Sequence, residues 1–258
     1  MKNLIKKLIK RAGYVVMTEM RLKTIEEGKF IPTLDFHYLI KKVIDKEDAI
    51  CFFDVGANIG QTSKKINQYF PNASIYAFEP IKKTFDQLVA NTQTITNARV
   101  YHTAMGAEMG ELVIYKRPDS EWNSLVKELN ELAKNEGAVA EIVKVNTVDL
   151  FLKEQQLKKI DILKSDTEGF EIHVLEGAKQ ALQDQLIDML YIEIGFVKGD
   201  QQHTHWMDVV NYLEQYGYSF CGLFELSYGF DLKPYYGNAL FMSPARLAAN
   251  KTKEFIVW

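Results

Sequence analysis

The feature that most limits this chain is a rhythm beginning near residue 49, where short apolar runs alternate with stretches of helical period. "AICFFDV" (49–55), "ASIYAFEP" (73–80), "ARVYHTAM" (98–105), "IDILKSD" (160–166) and "IDMLYIEI" (187–194) read as strands. "QTSKKINQYF" (61–70), "KKTFDQLVANTQ" (82–93) and the later part of "EIVKVNTVDLFLKE" (141–154) read as helices between them. Strands that alternate with helices form βαβ units, and βαβ units make a parallel sheet. "YSFCGLFEL" and "NALFMSP" read as a late antiparallel pair, and "ELVIYKR" (111–117) as an extra strand or hairpin arm. Residues 118–138 have weak periodicity and read as an insertion. The expected fold class is therefore α/β: one doubly wound domain over residues 48–258, behind an N-terminal helical extension over residues 1–47.

The first strand ends in "DVGANIG". In doubly wound sheets ligands bind outside the carboxyl ends of the strands, where the strand order reverses. Gly56 and Gly60 are expected to let the backbone approach such a ligand without a Cβ in the way. The helix that follows directs free N–H groups at anything anionic. The nicotinamide fingerprint needs three glycines in G-x-G-x-x-G; this turn has two, and Asp54 stands just before them. A carboxylate there repels a pyrophosphate but tolerates an ammonium or sulfonium. Glu79 ends the second strand, 25 residues after Asp54, and Pro80 stops that strand. An acid at that point suits the two hydroxyls of a ribose. Adenosine, a cationic centre and an amino-acid end together describe S-adenosylmethionine (SAM).

"FFDVGANIGQTS", "YAFEP", "ILKSDTEGFEIHVLEGA", "LYIEI" and "GNALFMS", in this order, resemble the FkbM-type SAM-dependent methyltransferases over roughly residues 48–243. The resemblance implies a Rossmann-like class I methyltransferase fold, with a mostly parallel seven-stranded sheet and an antiparallel closing strand. It implies O-methylation of hydroxyls on sugars or natural products, and it assigns the cofactor to Asp54, Gly56, Asn58, Gly60 and Glu79, with Pro80 beside them. Ser165 departs from the family, which usually has an apolar residue there. A short Asn/Ser segment at the position of Asn123 and Ser124 makes those two candidates for cofactor or acceptor contact.

Chemistry is expected at "LKSDTEGFE", where Lys164, Asp166, Glu168 and Glu171 follow a buried strand. A hydroxyl is a poor nucleophile while it keeps its proton, so a carboxylate in reach is needed to accept it. Asp166 is the first choice as base and Glu168 the second; Lys164 steadies the alkoxide or keeps Asp166 ionised. The alternative is a structural ion pair between Lys164 and one acid, with Glu171 on the helix surface. Glu193 ends the next strand and is expected to bind acceptor hydroxyls or to serve as a supporting hydrogen-bond acceptor. Trp122 suits stacking on a sugar ring or an adenine, or forms a small apolar cluster. "HTHW" (203–206) presents two His that do not share a helix face, so no metal is expected there; it reads as a loop with Thr204 as N-cap. His102 reads as a packed core residue.

Charge and composition narrow the partners. The net charge is −3, but residues 1–24 carry +6 and leave −9 for the rest, which argues against nucleic acid. Leu4, Ile5, Leu8, Ile9, Ala12, Val15 and Val16 recur at helical spacing opposite that basic face. Such a helix attaches peripherally to an anionic membrane surface, or packs on its own domain or a second subunit. No apolar run is long enough to span a bilayer. The two cysteines, Cys51 and Cys221, read as buried thiols of a reducing compartment, so a location in the cytoplasm, free or peripheral at the inner membrane face, is expected. The expected partner is a small-molecule or glycan hydroxyl acceptor. Two other readings stand beside the methyltransferase: a NAD-dependent oxidoreductase, disfavoured by the missing glycine and Asp54, and a non-catalytic membrane-associated scaffold, disfavoured by the intact turn.

Overall fold

The computed structural model describes residues 36, 40, 43, 44, 48–116, 124–200, 202–229 and 232–250. The basic segment 1–24, Trp122 and Asn123 lie outside these residues. Ten strands and eight helices are described. The strands are β1 (Cys51–Val55), β2 (Ser74–Phe78), β3 (Ala98–Tyr101), β4 (Ala104–Met105), β5 (Gly110–Lys116), β6 (Val139–Asn146), β7 (Ile160–Ser165), β8 (Ile187–Gly195), β9 (Ser219–Tyr228) and β10 (Pro234–Met242). The helices are α1 (Gln61–Tyr69), α2 (Lys82–Thr92), α3 (Lys127–Asn135), α4 (Val148–Glu154), α5 (Glu171–Glu176), α6 (Lys179–Gln183), α7 (Trp206–Glu214) and α8 (Pro244–Asn250).

Seven strands form one sheet in the order β3-β2-β1-β7-β8-β10-β9. All neighbours are parallel except β10, which runs antiparallel to both β8 and β9. This is the seven-stranded, mostly parallel sheet with an antiparallel closing strand that the sequence implies. Helices cover both faces, so the central strands are apolar on both sides and successive residues enter different cores. Phe53, Leu163 and Leu190 enter the core under α4, α5, α6 and α7. Phe52, Ile162 and Met189 enter the core under α1 and α2. Phe52 and Phe53 are both fully buried, and truncating either to Ala is expected to cost about 3–5 kcal/mol. Phe36, Ile40, Val43 and Ile44 also lie in the second core, upstream of the residue-48 boundary. Phe36 stacks on Tyr191 at 3.6 Å.

Three details differ from the sequence expectation. The run 98–105 is not one strand: the chain turns at His102 and Thr103, and β4 joins β6 and β5 in a second sheet of order β4-β6-β5. Within the weakly patterned region 118–138, residues 127–135 form α3, tied to β5 through the Asn130 carboxamide, which accepts from Tyr115 N and donates to Val113 O. His102 is exposed and stacks on Phe85, and Cys221 is exposed on β9, so neither is the core residue expected. Among the described residues no helix is long and apolar enough to cross a membrane.

Candidate active site

Strand register assembles the site. Val55, the last residue of β1, pairs with Phe78 on β2 and with Ser165 on β7, and Ser165 pairs with Ile192 on β8. The residues that follow, Glu79, Gly56, Asp166 and Glu193, therefore stand in one row across four strands at the carboxyl edge of the sheet. Two residues earlier in the same register, Asp54 lies beside Lys164. Order reverses between β1 and β7, the position at which such sheets take ligands. Residues up to 139 positions apart in sequence thus share one crevice. A cavity of about 740 Å³ opens there, lined by Gly56, Asn58, Glu79, Pro80, Asp166 and Glu168 on its polar side.

The glycines do a different job from the one expected. A Cβ on Gly56 would stand 1.8 Å from the Asp166 carbonyl oxygen, and one on Gly60 would stand 2.9 Å from Leu88 Cδ1. Both residues also have left-handed backbones, with φ of +73° and +88°. Gly56 thus lets the turns after β1 and β7 touch, and Gly60 lets α1 pack on α2. Their first role is to bring protein to protein; Gly56 then lines the cavity as well, while Gly60 does not.

Glu79 is buried at the cavity wall. Its Oε2 accepts from Asn58 N at 3.1 Å and its Oε1 from Ile81 N at 2.9 Å. Burial pushes its carboxyl up to about 7, against the pull of these two amides and of Lys164. Each oxygen keeps a second lone pair for a hydroxyl in the cavity.

Lys164 is the cationic hub of the other half. Its Nζ lies 3.1 Å from Asp166 Oδ2 and 3.5 Å from Asp54 Oδ1, and it donates to Gly56 O at 3.2 Å. Burial alone would lower its pKa, but Asp166 and then Asp54 more than offset that and hold the ammonium charged. Asp54 is fully buried and does not line the cavity; its Oδ2 accepts from Ser63 Oγ at 2.7 Å, which ties α1 to β1. Asp54 therefore acts on the cavity through Lys164.

Three further carboxylates crowd the β7/β8 end. Glu168 lines the cavity with a left-handed backbone, φ +55°, and Ser124 Oγ donates to its carbonyl. That bond, with the one Ser124 Oγ accepts from Val126 N at 3.0 Å, makes Ser124 a brace for the Glu168 turn. Burial and then the nearby Asp166 push Glu168 up to about 8. Burial and the carboxylates of Asp166, Glu171 and Glu168 push Glu193 upward too. Glu171 is not on the helix surface: it is fully buried, accepting from Thr167 N at 2.7 Å and from Thr204 Oγ1 at 2.6 Å. Thr204 accordingly is not the N-cap of α7; that position is His205, which makes no side-chain cap bond.

The structure thus brings together Gly56, Asn58, Glu79, Pro80, Asp166 and Glu168 on the cavity, with Lys164, Asp54, Ser124 and Glu193 directly behind them. It also adds residues that no motif flags. Met105, Ile114, Leu125 and Phe170 form an apolar wall, and Lys83 and Gln87 rim the opening from α2. Apolar residues on a strand look alike whether they face a core or a ligand, so their sequence carries no signal.

A Rossmann-like sheet of this order, with a carboxylate row and a closed glycine turn at its switch point, is the class I methyltransferase architecture. The chain belongs to the methyltransferase FkbM domain family, whose sequence model matches residues 54–220. It is 24% identical over 186 residues to the 2-O-methyltransferase NoeI of Sinorhizobium fredii, a match covering 67% of this chain and 75% of that protein. It is 24% identical over 157 residues to the hexuronic acid methyltransferase AglP of Haloferax volcanii, covering 60% of this chain and 59% of that protein. Among solved structures, the METTL16 methyltransferase domain shares the fold at a TM-score of 0.50 and 14% identity, over 84% of this chain and 70% of that one. The protein is a methyltransferase, which sets aside the oxidoreductase reading.

Proposed function

We propose that this protein is a SAM-dependent O-methyltransferase whose acceptor is a hydroxyl on a sugar or natural-product small molecule. The observation that carries the reading is the register row, which puts Glu79 and the Asp166–Lys164 pair on opposite sides of one cavity. The relatives named as a 2-O-methyltransferase and a hexuronic acid methyltransferase support a sugar hydroxyl as acceptor. The cavity fits the donor: its wall is rich in carboxylate and suits a cationic sulfur, and Glu79 has lone pairs left for a ribose.

When bound, SAM supplies a methyl group on a sulfonium, which leaves as a neutral thioether. Gly56, Asn58, Glu79 and Pro80 hold the donor side. Asp166 faces the acceptor and accepts the hydroxyl proton as the oxygen–methyl bond forms, a contribution of roughly 10²–10⁴-fold. Lys164, held charged by Asp166 and Asp54, stands 3.1 Å from the Asp166 carboxylate and holds it in place. Positioning the two reactants supplies much of the rest, up to about 7–11 kcal/mol.

The test is an assay of S-adenosylhomocysteine (SAH) release over a panel of sugars, uronic acids and hydroxylated natural products. The reading expects turnover on at least one hydroxyl acceptor, and a roughly 10²–10⁴-fold loss in Asp166→Asn. Methylation of nitrogen or carbon acceptors alone, or full activity in Asp166→Asn, would contradict it.

A further inference from the structure

His203 lies in the loop before α7, and its imidazole is turned away from solvent onto Asp200. Nδ1 and Asp200 Oδ2 are 2.7 Å apart, and the two side chains are 9% and 6% exposed. The ring stacks on Tyr236 at 4.6 Å, with an interplanar angle of 9°. Gly195 admits the loop: a Cβ there would stand 2.8 Å from His203 Cβ. The loop is also stitched to the end of β8 by Gly195 N donating to Thr204 O at 2.8 Å. An imidazole fixed this way presents Nε2 as a free lone pair, because a carboxylate on Nδ1 selects the tautomer that protonates Nδ1.

The imidazole also has two carboxylates within reach of a ring nitrogen. Ligand atoms of Glu168, Glu193 and His203 all lie within 4.8 Å of one another. Glu193 shares a hydrogen bond with Asp166, and its Oε2 is buried with no hydrogen-bond partner among the described residues. Glu168 itself has a left-handed backbone, φ +55°, that only a surrounding constraint sustains. Lys164 is already spent on Asp166, Asp54 and Gly56 O, and Glu171 on Thr167 and Thr204. Two carboxylates and an imidazole therefore converge without a cation of their own.

We propose that Glu168, Glu193 and His203 form a divalent-cation site at the β7/β8 end of the cleft. Two oxygen donors and one imidazole nitrogen form a mixed set, which suits a cation such as Mn²⁺ that accepts both. Bonds of about 2.0–2.2 Å bring ligands to at most ~4.4 Å apart, so small rotations of the two Glu side chains close the site. The Asp200–His203 pair is the outer support that metal-bound imidazoles usually have. Three protein ligands leave coordination positions open, and with Glu168 on the cavity wall vicinal hydroxyls of a polyol are suitable ligands. That last use rests on the proposed methyl transfer; the site itself does not. The chain spacing of "HTHW" hides the set, because its companions come from residues 168 and 193 rather than from His205.

The test uses metal-free full-length protein titrated with Mn²⁺ alone and followed by electron paramagnetic resonance. The expected result is one ion per chain, with a nitrogen coupling from a bound imidazole in the spin-echo spectrum. His203→Gln is expected to remove that coupling. His203→Gln and Glu193→Gln are each expected to weaken binding by at least about tenfold, while His173→Gln on the exposed side of α5 leaves it unchanged. No binding up to about 1 mM ion, the weak end of biological sites, overturns the proposal. So does bound Mn²⁺ without nitrogen coupling in the wild-type protein, a result that stands even if a variant fails to fold. SAH binding measured on the same metal-free protein separates a failure of this site from a failure of the methyltransferase reading.

Discussion

The two halves of the carboxyl edge are built on different terms. At the β1/β2 end Glu79, the carboxylate that lines the cavity there, is met by two backbone amides, and the turn above it is closed against neighbouring protein. At the β7/β8 end Asp166, Glu168, Glu171 and Glu193 crowd one another, the single ammonium there is shared with Asp54, and one of their buried oxygens has no partner. The first half is a finished cradle; the second holds crowded carboxyl groups that burial and one another push toward the protonated form. The proposed methyl transfer would use this difference. The donor must be gripped in one pose, while the acceptor side must take up a proton.

The largest expected break is at the joint between the halves. Gly56→Ala puts a Cβ 1.8 Å from the Asp166 carbonyl, so β1 and β7 must part. It is expected to destabilise the fold by more than about 4 kcal/mol, measured by urea denaturation. A loss under about 1 kcal/mol would show that the two turns are not in contact.

A smaller effect distinguishes the halves by pH. An ordinary Glu ionises near 4.5, whereas folded Glu79 holds its proton to about 7 and folded Glu168 to about 8. Between those values the folded state binds more protons than the unfolded one, so stability falls as pH rises. The contribution of Glu168 is fully present below about pH 4.5 and is lost as pH passes about 8. In a series of thermal melts from pH 5 to pH 8, Glu168→Gln is therefore expected to flatten the fall seen in the wild type. An identical slope in the two proteins would mean that the β7/β8 end is not charge-crowded.

The smallest concerns Ser165, whose hydroxyl is buried without a partner among the described residues. Ser165→Ala removes an unsatisfied polar group and is expected to stabilise by up to about 1 kcal/mol, read by urea denaturation. A loss of stability would reveal a bond to that hydroxyl.

The sheet was legible in sequence because βαβ alternation and apolar strands leave few arrangements open. The glycine turn and its acid partner were legible because their residues lie close in sequence: "DVGANIG" and "FEP" are local patterns set by local geometry. Their purpose was less so. Gly56 and Gly60 looked like room for a ligand, but what they admit first is the Asp166 carbonyl and the side chains of α2. The β7/β8 half was only partly legible. "LKSDTEGFE" announced itself by four ionisable residues after a buried strand, yet the sequence could not tell that Glu171 would be spent on Thr167 and Thr204. Nor did it show His203 facing Glu168 and Glu193. That depends on how a loop near residue 200 folds back on β8, which the missing Cβ of Gly195 permits. The break of the 98–105 run was hidden too, because nothing in its apolar pattern marks the turn at His102.

The division of labour is most directly tested by calorimetry of SAH with the wild type, Glu79→Gln and Asp166→Asn, each checked for native circular dichroism. SAH has an uncharged sulfur, so the charge of Asp166 contributes little to its binding. At a pH above about 7, where Glu79 has lost its proton, the expected result is an affinity loss of about tenfold or more in Glu79→Gln, since hydrogen bonds to a charged group contribute about 1.5–3 kcal/mol. Asp166→Asn is expected to stay within about threefold of the wild type, a difference under ~0.7 kcal/mol. Equal losses in both variants, or unchanged binding in Glu79→Gln, would contradict a donor cradle at β1/β2 with proton chemistry at β7/β8.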